Sequence, residues 1–103
     1  MNRLEILRSM VAQNPADVFA RYGLAMELVK SGELASAVCE FRSLLEHNPH
    51  YAAAYFHGGQ ALEKLGQLEQ ARQLYEKGIE VTSLTGDAHA RTELQAALDM
   101  LPQ

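Results

Sequence analysis

The 103-residue sequence lacks features that several functional classes require. It has a single cysteine, Cys39, so it cannot form an internal disulfide framework, and it fits a reducing compartment. Nine lysines and arginines against 13 aspartates and glutamates give a net charge of -4, whereas nucleic-acid-binding proteins usually carry a basic surface. No run approaches the roughly 20 apolar residues of a membrane helix, and charged residues interrupt the N-terminal segment, unlike a signal peptide. We therefore expect a cytoplasmic protein that binds no nucleic acid and does not insert into a membrane.

The sequence also lacks a recognisable catalytic or metal-binding arrangement. The histidines fall at four separate positions: His47, His50, His57 and His89. A zinc site would need a tighter set of ligands, often with cysteine. The pair Gly58-Gly59 lies inside a helical pattern and not between a strand and a helix, so it does not form a phosphate-binding loop. We expect a protein that is not an enzyme and has no metal or cofactor.

What the sequence does contain is an internal repeat, because residues 16–49 align with 50–83 without a gap. The matched pairs include Leu28 with Leu62, Gly32 with Gly66, Leu34 with Leu68, Ala37 with Ala71, and Phe41 with Tyr75. One period earlier, Leu7, Val11 and Pro15 take the places of Phe41, Leu45 and Pro49. Residues 2–13 therefore correspond to the second half of a truncated unit.

Each unit has the pattern of two helices with a glycine between them. Apolar residues recur at helical spacing over 16–30 and again over 34–47. Gly32 is expected to end the first of these helices in the left-handed conformation. Asn14-Pro15 and Asn48-Pro49 are expected to cap and begin the first helix of each unit. No segment has the alternation of a strand, so the sequence predicts an all-α fold.

Other positions predict how the helices pack. Two adjacent glycines inside a helix, Gly58-Gly59, cost about 1 kcal/mol each relative to alanine, which implies a close contact with another helix. Phe41 and Tyr75 are expected to be buried between successive hairpins. The first helix is expected to turn its apolar residues inward: Leu4, Leu7, Met10 and Val11. A turn over 82–87 should precede a final helix over about 87–101, whose polar outer side would cap the array.

These positions resemble the tetratricopeptide repeat, a helix–turn–helix unit of about 34 residues. The second unit holds the family's motif residues as Tyr55, Gly58-Gly59, Leu62, Gly66, Leu68, Ala71 and Tyr75, whereas Gly78, like Leu44 in the first unit, stands where the family has a second alanine. Arg21 stands where the family has tryptophan, and Ser83 stands where it has proline. The resemblance implies one domain, a short right-handed α–α superhelix. It would consist of an N-terminal half repeat (1–14), two full helical hairpins (15–48 and 49–82) and a C-terminal capping helix (83–103).

In the family, the first helix of each unit lines a concave groove that binds a peptide or a protein segment. The resemblance thus implies a non-catalytic interaction module, a small scaffold or adaptor. The partner-binding residues transferred by position are Tyr22, Met26, Val29, Lys30, Phe56, Gln60, Lys64 and Arg91. Of the positions that clamp a terminal carboxylate in one subgroup, Arg91 alone agrees, so a clamp is not favoured.

The apolar residues of this groove lead to two expectations. Tyr22, Met26 and Phe56 should be substantially exposed and adjacent, because helices stacked on their opposite faces leave this cluster without a folding role. Phe19 would extend the apolar wall of this groove; the alternative is that it belongs to the core, because the N-terminal helix packs near it. The alternative function is structural self-association, a homodimer formed through the apolar inner face or the incomplete N-terminal repeat.

Overall fold

A computed structural model describes residues 2–102. Within that range the chain forms six α-helices and no strand, which confirms the all-α prediction. The helices are α1 (Arg3–Gln13), α2 (Val18–Lys30), α3 (Leu34–His47), α4 (Ala52–Lys64), α5 (Leu68–Thr85) and α6 (Ala88–Asp99). Each helix packs mainly against its neighbours along the chain, and α4 also contacts α2 and α6. The helices α2, α4 and α6 therefore form one layer. The surface of this layer that faces away from α3 and α5 is here named the inner face.

The two helix ends that were predicted from glycine are confirmed. Gly32 and Gly66 have φ angles of 81° and 78° and end α2 and α4 as predicted. The predicted starts of α2 and α4 are wrong: Asp17 caps α2 by accepting a hydrogen bond from the next turn, and α4 begins at Ala52. Asn14 and Asn48 instead end the preceding helices, because a residue before proline is pushed toward extended backbone.

The turn predicted over 82–87 is wrong, since α5 remains helical through Thr85 and ends at Gly86, which has a φ of 77°. Two features explain the extra length. Ser83 occupies the position that Pro49 holds one period earlier, so no proline interrupts the helix. The buried Thr82 hydroxyl donates to the backbone carbonyl oxygen four residues earlier at 2.8 Å, so this hydroxyl is satisfied within the helix.

The core confirms the predicted burial of the repeated aromatic residues. Phe41 and Tyr75 are both completely buried. The two adjacent glycines allow the helices to approach, because a Cβ on Gly58 would lie 2.9 Å from Leu74 Cδ2 and a Cβ on Gly59 would overlap the Tyr75 ring. The contact between α4 and α5 therefore needs glycine at position 59, whereas a side chain at position 58 would require the end of Leu74 to shift.

The N-terminal helix is covered less than expected. Leu7 is buried, but Met10 is 39 % exposed, so its predicted inward orientation is wrong. The reason is that α1 packs against α2 alone within the described chain, and only the side facing α2 is covered.

Arg21 takes the place of the family's tryptophan with a polar contact between α2 and α3. Its Nη1 donates to Glu40 Oε1 at 2.7 Å, and its Nη2 donates to the Pro15 carbonyl oxygen at 3.1 Å. The side chain is largely buried, so the ion pair lies in a partly desolvated position where attraction is stronger than at the surface. A charged pair thus joins the two helices at a site that the repeat pattern assigns to an aromatic ring.

Candidate functional site

Four rings form a continuous aromatic band across α2 and α4. The ring of Tyr22 lies 5.2 Å from that of Tyr51 and 6.1 Å from that of His57, measured between centroids. The Phe56 ring packs edge-on against His57 at 5.2 Å. Repeat geometry explains the arrangement, because Tyr22 and Phe56 are one full period of the repeat apart and occupy equivalent places on successive first helices. The His57 ring contacts both the Tyr22 ring and the Phe56 ring. Its place beside Phe56 in the sequence could have indicated that it belongs to this group.

The exposure predicted for the apolar cluster is wrong. Tyr22, Met26 and Phe56 are half-buried, because their inner edges pack against the core and their outer edges face solvent. Phe19 is 79 % exposed, so the alternative that it belongs to the core is wrong. The helix α1 reaches α2 one turn later, where the Leu7 side chain closes over Gly23, and Phe19 is left outside this contact.

Burial shifts the pKa values of two members of the aromatic band, His57 and Tyr22, in the direction that favours their neutral forms. Burial lowers the pKa of His57 below its ordinary value, and the nearby Glu93 carboxylate opposes this effect only in part. Burial also raises the pKa of Tyr22, with a further contribution from Tyr51. A neutral imidazole therefore places no charge between the two aromatic rings.

The predicted binding residues divide between two depressions on either side of the aromatic band. The N-terminal groove, of about 540 Å³, lies between α1 and α2. Its predicted lining residues are Tyr22, Met26, Val29 and Lys30, and it also includes Arg3, Leu7, Phe19, Gly23 and Glu27. The C-terminal groove, of about 450 Å³, lies between α4 and α6. Its predicted lining residues are Phe56 and Gln60, joined by Glu63, Glu93, Ala96, Ala97 and Met100.

The remaining two predicted residues lie outside both grooves. Lys64 is exposed in the last turn of α4. Arg91 is exposed on α6, where it lines a separate shallow depression with Thr92 and Gln95. The structure therefore brings six of the eight predicted residues to the two grooves and leaves these two cations at the periphery.

Apart from Gln60, the polar part of the C-terminal groove was not predicted from the sequence. The Tyr75 hydroxyl donates to Glu63 Oε2 at 2.5 Å, and Gln60 Nε2 donates to the Tyr75 hydroxyl oxygen at 2.7 Å. Burial is the main cause that raises the pKa of Tyr75, and the hydrogen bond to Glu63 raises it further. The hydroxyl therefore stays protonated and can donate. The sequence signal was the spacing of Gln60 and Glu63, three apart on one helix face.

Two properties of the described residues bear on other functions. Across residues 2–102, no group of histidine, cysteine, aspartate and glutamate side chains could hold a metal ion. None of the six helices in that range is long and apolar enough to cross a membrane.

Comparison with known proteins gives consistent matches. A family model described as "Tetratricopeptide repeat" matches residues 28–98. The "TPR repeat-containing protein PA0015" of Pseudomonas aeruginosa is 29% identical over 98 residues, which is 95% of this chain and 93% of that protein. The solution structure of a tetratricopeptide repeat domain protein from Salinibacter ruber is 36% identical, with a TM-score of 0.77 over 82% of this chain and 86% of that one. YrrB, "a TPR protein with an unusual peptide-binding site", is 24% identical, with a TM-score of 0.83 over 94% of this chain and 47% of its own, a likeness of fold.

Proposed function

Because the chain belongs to the tetratricopeptide repeat family, whose members generally serve as non-catalytic interaction modules, we propose that it binds a segment of a partner protein on its inner face. It would act as a small scaffold or adaptor that captures an extended or helical segment. The observation that carries this proposal is the aromatic band formed by Tyr51, Tyr22, His57 and Phe56, with a groove on each side.

The band has the properties of an interaction surface. Its rings are held in place by packing and lose little conformational freedom on binding, and aromatic residues frequently dominate interface energies. Contiguous apolar surface on a protein often marks an interaction site. The adjoining grooves would accept side chains of the partner on either side of the band. The description of YrrB supports the capacity of this fold to bind a peptide, and the position of the site here is argued from the residues of this chain.

The experiment starts from a random peptide library displayed on phage, which presupposes no particular partner. Peptides selected on the wild-type protein are measured against Phe56→Ala by fluorescence polarisation. We expect Phe56→Ala to weaken binding about 30-fold, the loss typical of an aromatic anchor at an interface. Leu84→Ala is the matched control, because Leu84 is 79 % exposed on α5 and lines neither groove.

Thermal melts followed by circular dichroism separate lost binding from lost folding, because Phe56 is half-buried and its truncation also removes core contacts. The test is valid at a temperature where the variant is fully folded. Failure to select any peptide, or equal affinity of the selected peptides for Phe56→Ala and the wild type, would refute the proposal.

A second candidate function, self-association, is favoured by the N-terminal end. Phe19, which lines the N-terminal groove, exposes 79 % of its surface, and Ile6 and Met10 on α1 expose 44 and 39 % of theirs. The lining of that groove carries both signs of charge, but Glu27 is already paired with Arg3 at 3.5 Å, so the exposed apolar side chains and not the charges favour this candidate.

Light scattering over a wide range of protein concentration tests this second candidate. If it holds, the wild type forms a dimer, Phe19→Ser is monomeric, and Leu84→Ser, an equally exposed substitution away from the groove, dimerises like the wild type. A wild-type protein that stays monomeric at every concentration would exclude self-association.

A further inference from the structure

We propose that the C-terminal groove binds a lysine or arginine side chain of the partner segment, together with an adjacent apolar residue of that segment. The proposal rests on the proposed function and specifies the chemistry of the partner. Its basis is charge complementarity: the groove is lined by apolar side chains and by the carboxylates of Glu63 and Glu93, and none of its lining residues is basic.

Glu63 is oriented with one oxygen available. Its Oε2 accepts from the Tyr75 hydroxyl at 2.5 Å and from Gln60 Nε2 at 3.3 Å. The Tyr75 ring is completely buried, so its hydroxyl stays in place. The Glu63 carboxylate would lose this hydrogen bond if it moved away. Within residues 2–102, Oε1 of Glu63 accepts no hydrogen bond, and Glu63 forms no ion pair. A cationic side chain of the partner would thus meet a carboxylate whose position is already fixed.

Glu93 faces the same groove from α6. Its Oε1 lies 3.6 Å from His89 Nε2, an exposed contact that becomes an ion pair only when that imidazole is protonated. The nearby His57 is held neutral near pH 7 because burial lowers its pKa. Two glutamates on opposite walls therefore give the groove a negative potential. A guanidinium group has enough donors to hydrogen-bond both carboxylates at once.

The apolar part of the groove suits the rest of such a side chain. Phe56, Ala96 and Ala97 provide a surface along which the methylene stem of a lysine or arginine can lie while its charged end reaches the carboxylates. A guanidinium group can also stack on the ring of Phe56. Met100, which is 83 % exposed at the rim, offers an adaptable contact for an apolar neighbour in the partner segment.

The test uses peptides selected from the phage library on the wild-type protein and measures their affinity for Glu63→Gln, Glu93→Gln and the double variant. Glutamine keeps the shape of each side chain and an acceptor for the Tyr75 hydroxyl, so the fold is retained. Glu80→Gln is the matched control, because it removes the same charge from α5, outside both grooves.

We expect the selected peptides to be enriched in an arginine or lysine next to an apolar residue. The double variant should bind them about tenfold or more weakly, and Glu80→Gln should bind them like the wild type. Replacing the peptide's arginine by the uncharged citrulline should weaken wild-type binding to a similar extent. That replacement should have little further effect on the double variant, which would show that the two changes remove the same contact.

The remaining outcomes overturn the inference in distinguishable ways. Selected peptides that bind the wild type and the double variant equally, yet lose affinity for Phe56→Ala, would refute the basic side chain and leave the proposed function standing. Equal weakening by Glu80→Gln would reduce the effect to overall charge and also refute the inference. Failure to select any peptide would overturn the proposed function and this inference together.

Discussion

Replacement of Gly59 by alanine should destabilise the protein, although alanine is the better helix former. The substitution gains about 1 kcal/mol of helix propensity in the interior of α4. Against this, a Cβ at Gly59 would overlap three atoms of the Tyr75 ring. Tyr75 is completely buried and its hydroxyl is hydrogen-bonded to Glu63 and Gln60, so turning the ring away would disturb core packing and these hydrogen bonds. Overpacking of this kind costs about 1–3 kcal/mol.

With the overpacking cost at its upper end, the net loss is about 1–2 kcal/mol of unfolding free energy. For a domain of this size, that loss lowers Tm by about 5–15 °C. The matched control is Gly23→Ala in α2. Its Cβ would lie 3.2 Å from Leu7 Cδ2, the end of a flexible side chain on the terminal helix, which can shift slightly. Gly23→Ala should therefore leave stability unchanged or raise it by up to about 1 kcal/mol.

Urea denaturation followed by circular dichroism measures both variants, because the linear dependence on urea yields the unfolding free energy. Opposite signs for the two substitutions would support the argument from close packing. If Gly59→Ala stabilised the protein as much as Gly23→Ala, helix propensity would outweigh the contact, and the reasoning from the buried Tyr75 ring would be wrong.

Burial and hydrogen bonding lead to three further predictions. Phe41→Ala should lower the unfolding free energy by about 3–5 kcal/mol, because the ring is completely buried; a loss below about 1 kcal/mol in urea denaturation would contradict this. Tyr75→Phe should cost about 1–2 kcal/mol in the same assay, since it removes a hydrogen bond to the Glu63 carboxylate and keeps the ring; an unchanged midpoint would count against that bond. Burial lowers the pKa of His57 from 6.5, so its contribution to stability is complete above that pH and is lost as the pH falls toward the folded-state pKa. His57→Gln should accordingly reduce the loss of stability between about pH 7 and pH 5, and identical pH profiles would refute this.

The fold was largely predictable because the same residue pattern recurs in each repeat and forms the same two helices each time. Gly32 and Gly66 recur one period apart, and both have a positive φ. Glycine adopts a positive φ readily, so these two helix ends could be predicted from the sequence. The asparagine–proline pairs were less informative, because asparagine is common at both ends of helices. Asn14 and Asn48 proved to end a helix and not to begin one.

The candidate site was predictable in its placement and not in its exposure. Spacing alone put Tyr22 and Met26 on one face and Phe56 one repeat along. Their half-burial depends on side chains from other parts of the chain, such as Tyr51, which a repeat alignment does not place in space. The orientation of Glu63 likewise depends on a hydroxyl from another helix. Whether these residues bind a partner stays a prediction.

The attachment of α1 has a consequence for dynamics. This helix contacts α2 alone among the described helices, and of its eleven residues, all described, Leu7 alone is buried. Helices with so little buried surface open at a lower free energy than the rest of the fold, so amide protons of α1 should exchange before those of α3 or α5. The N-terminal groove has one wall on α1, so it exists only in the molecules in which α1 is docked. A ligand that touched both walls would slow that exchange and would have its apparent affinity reduced by the undocked fraction.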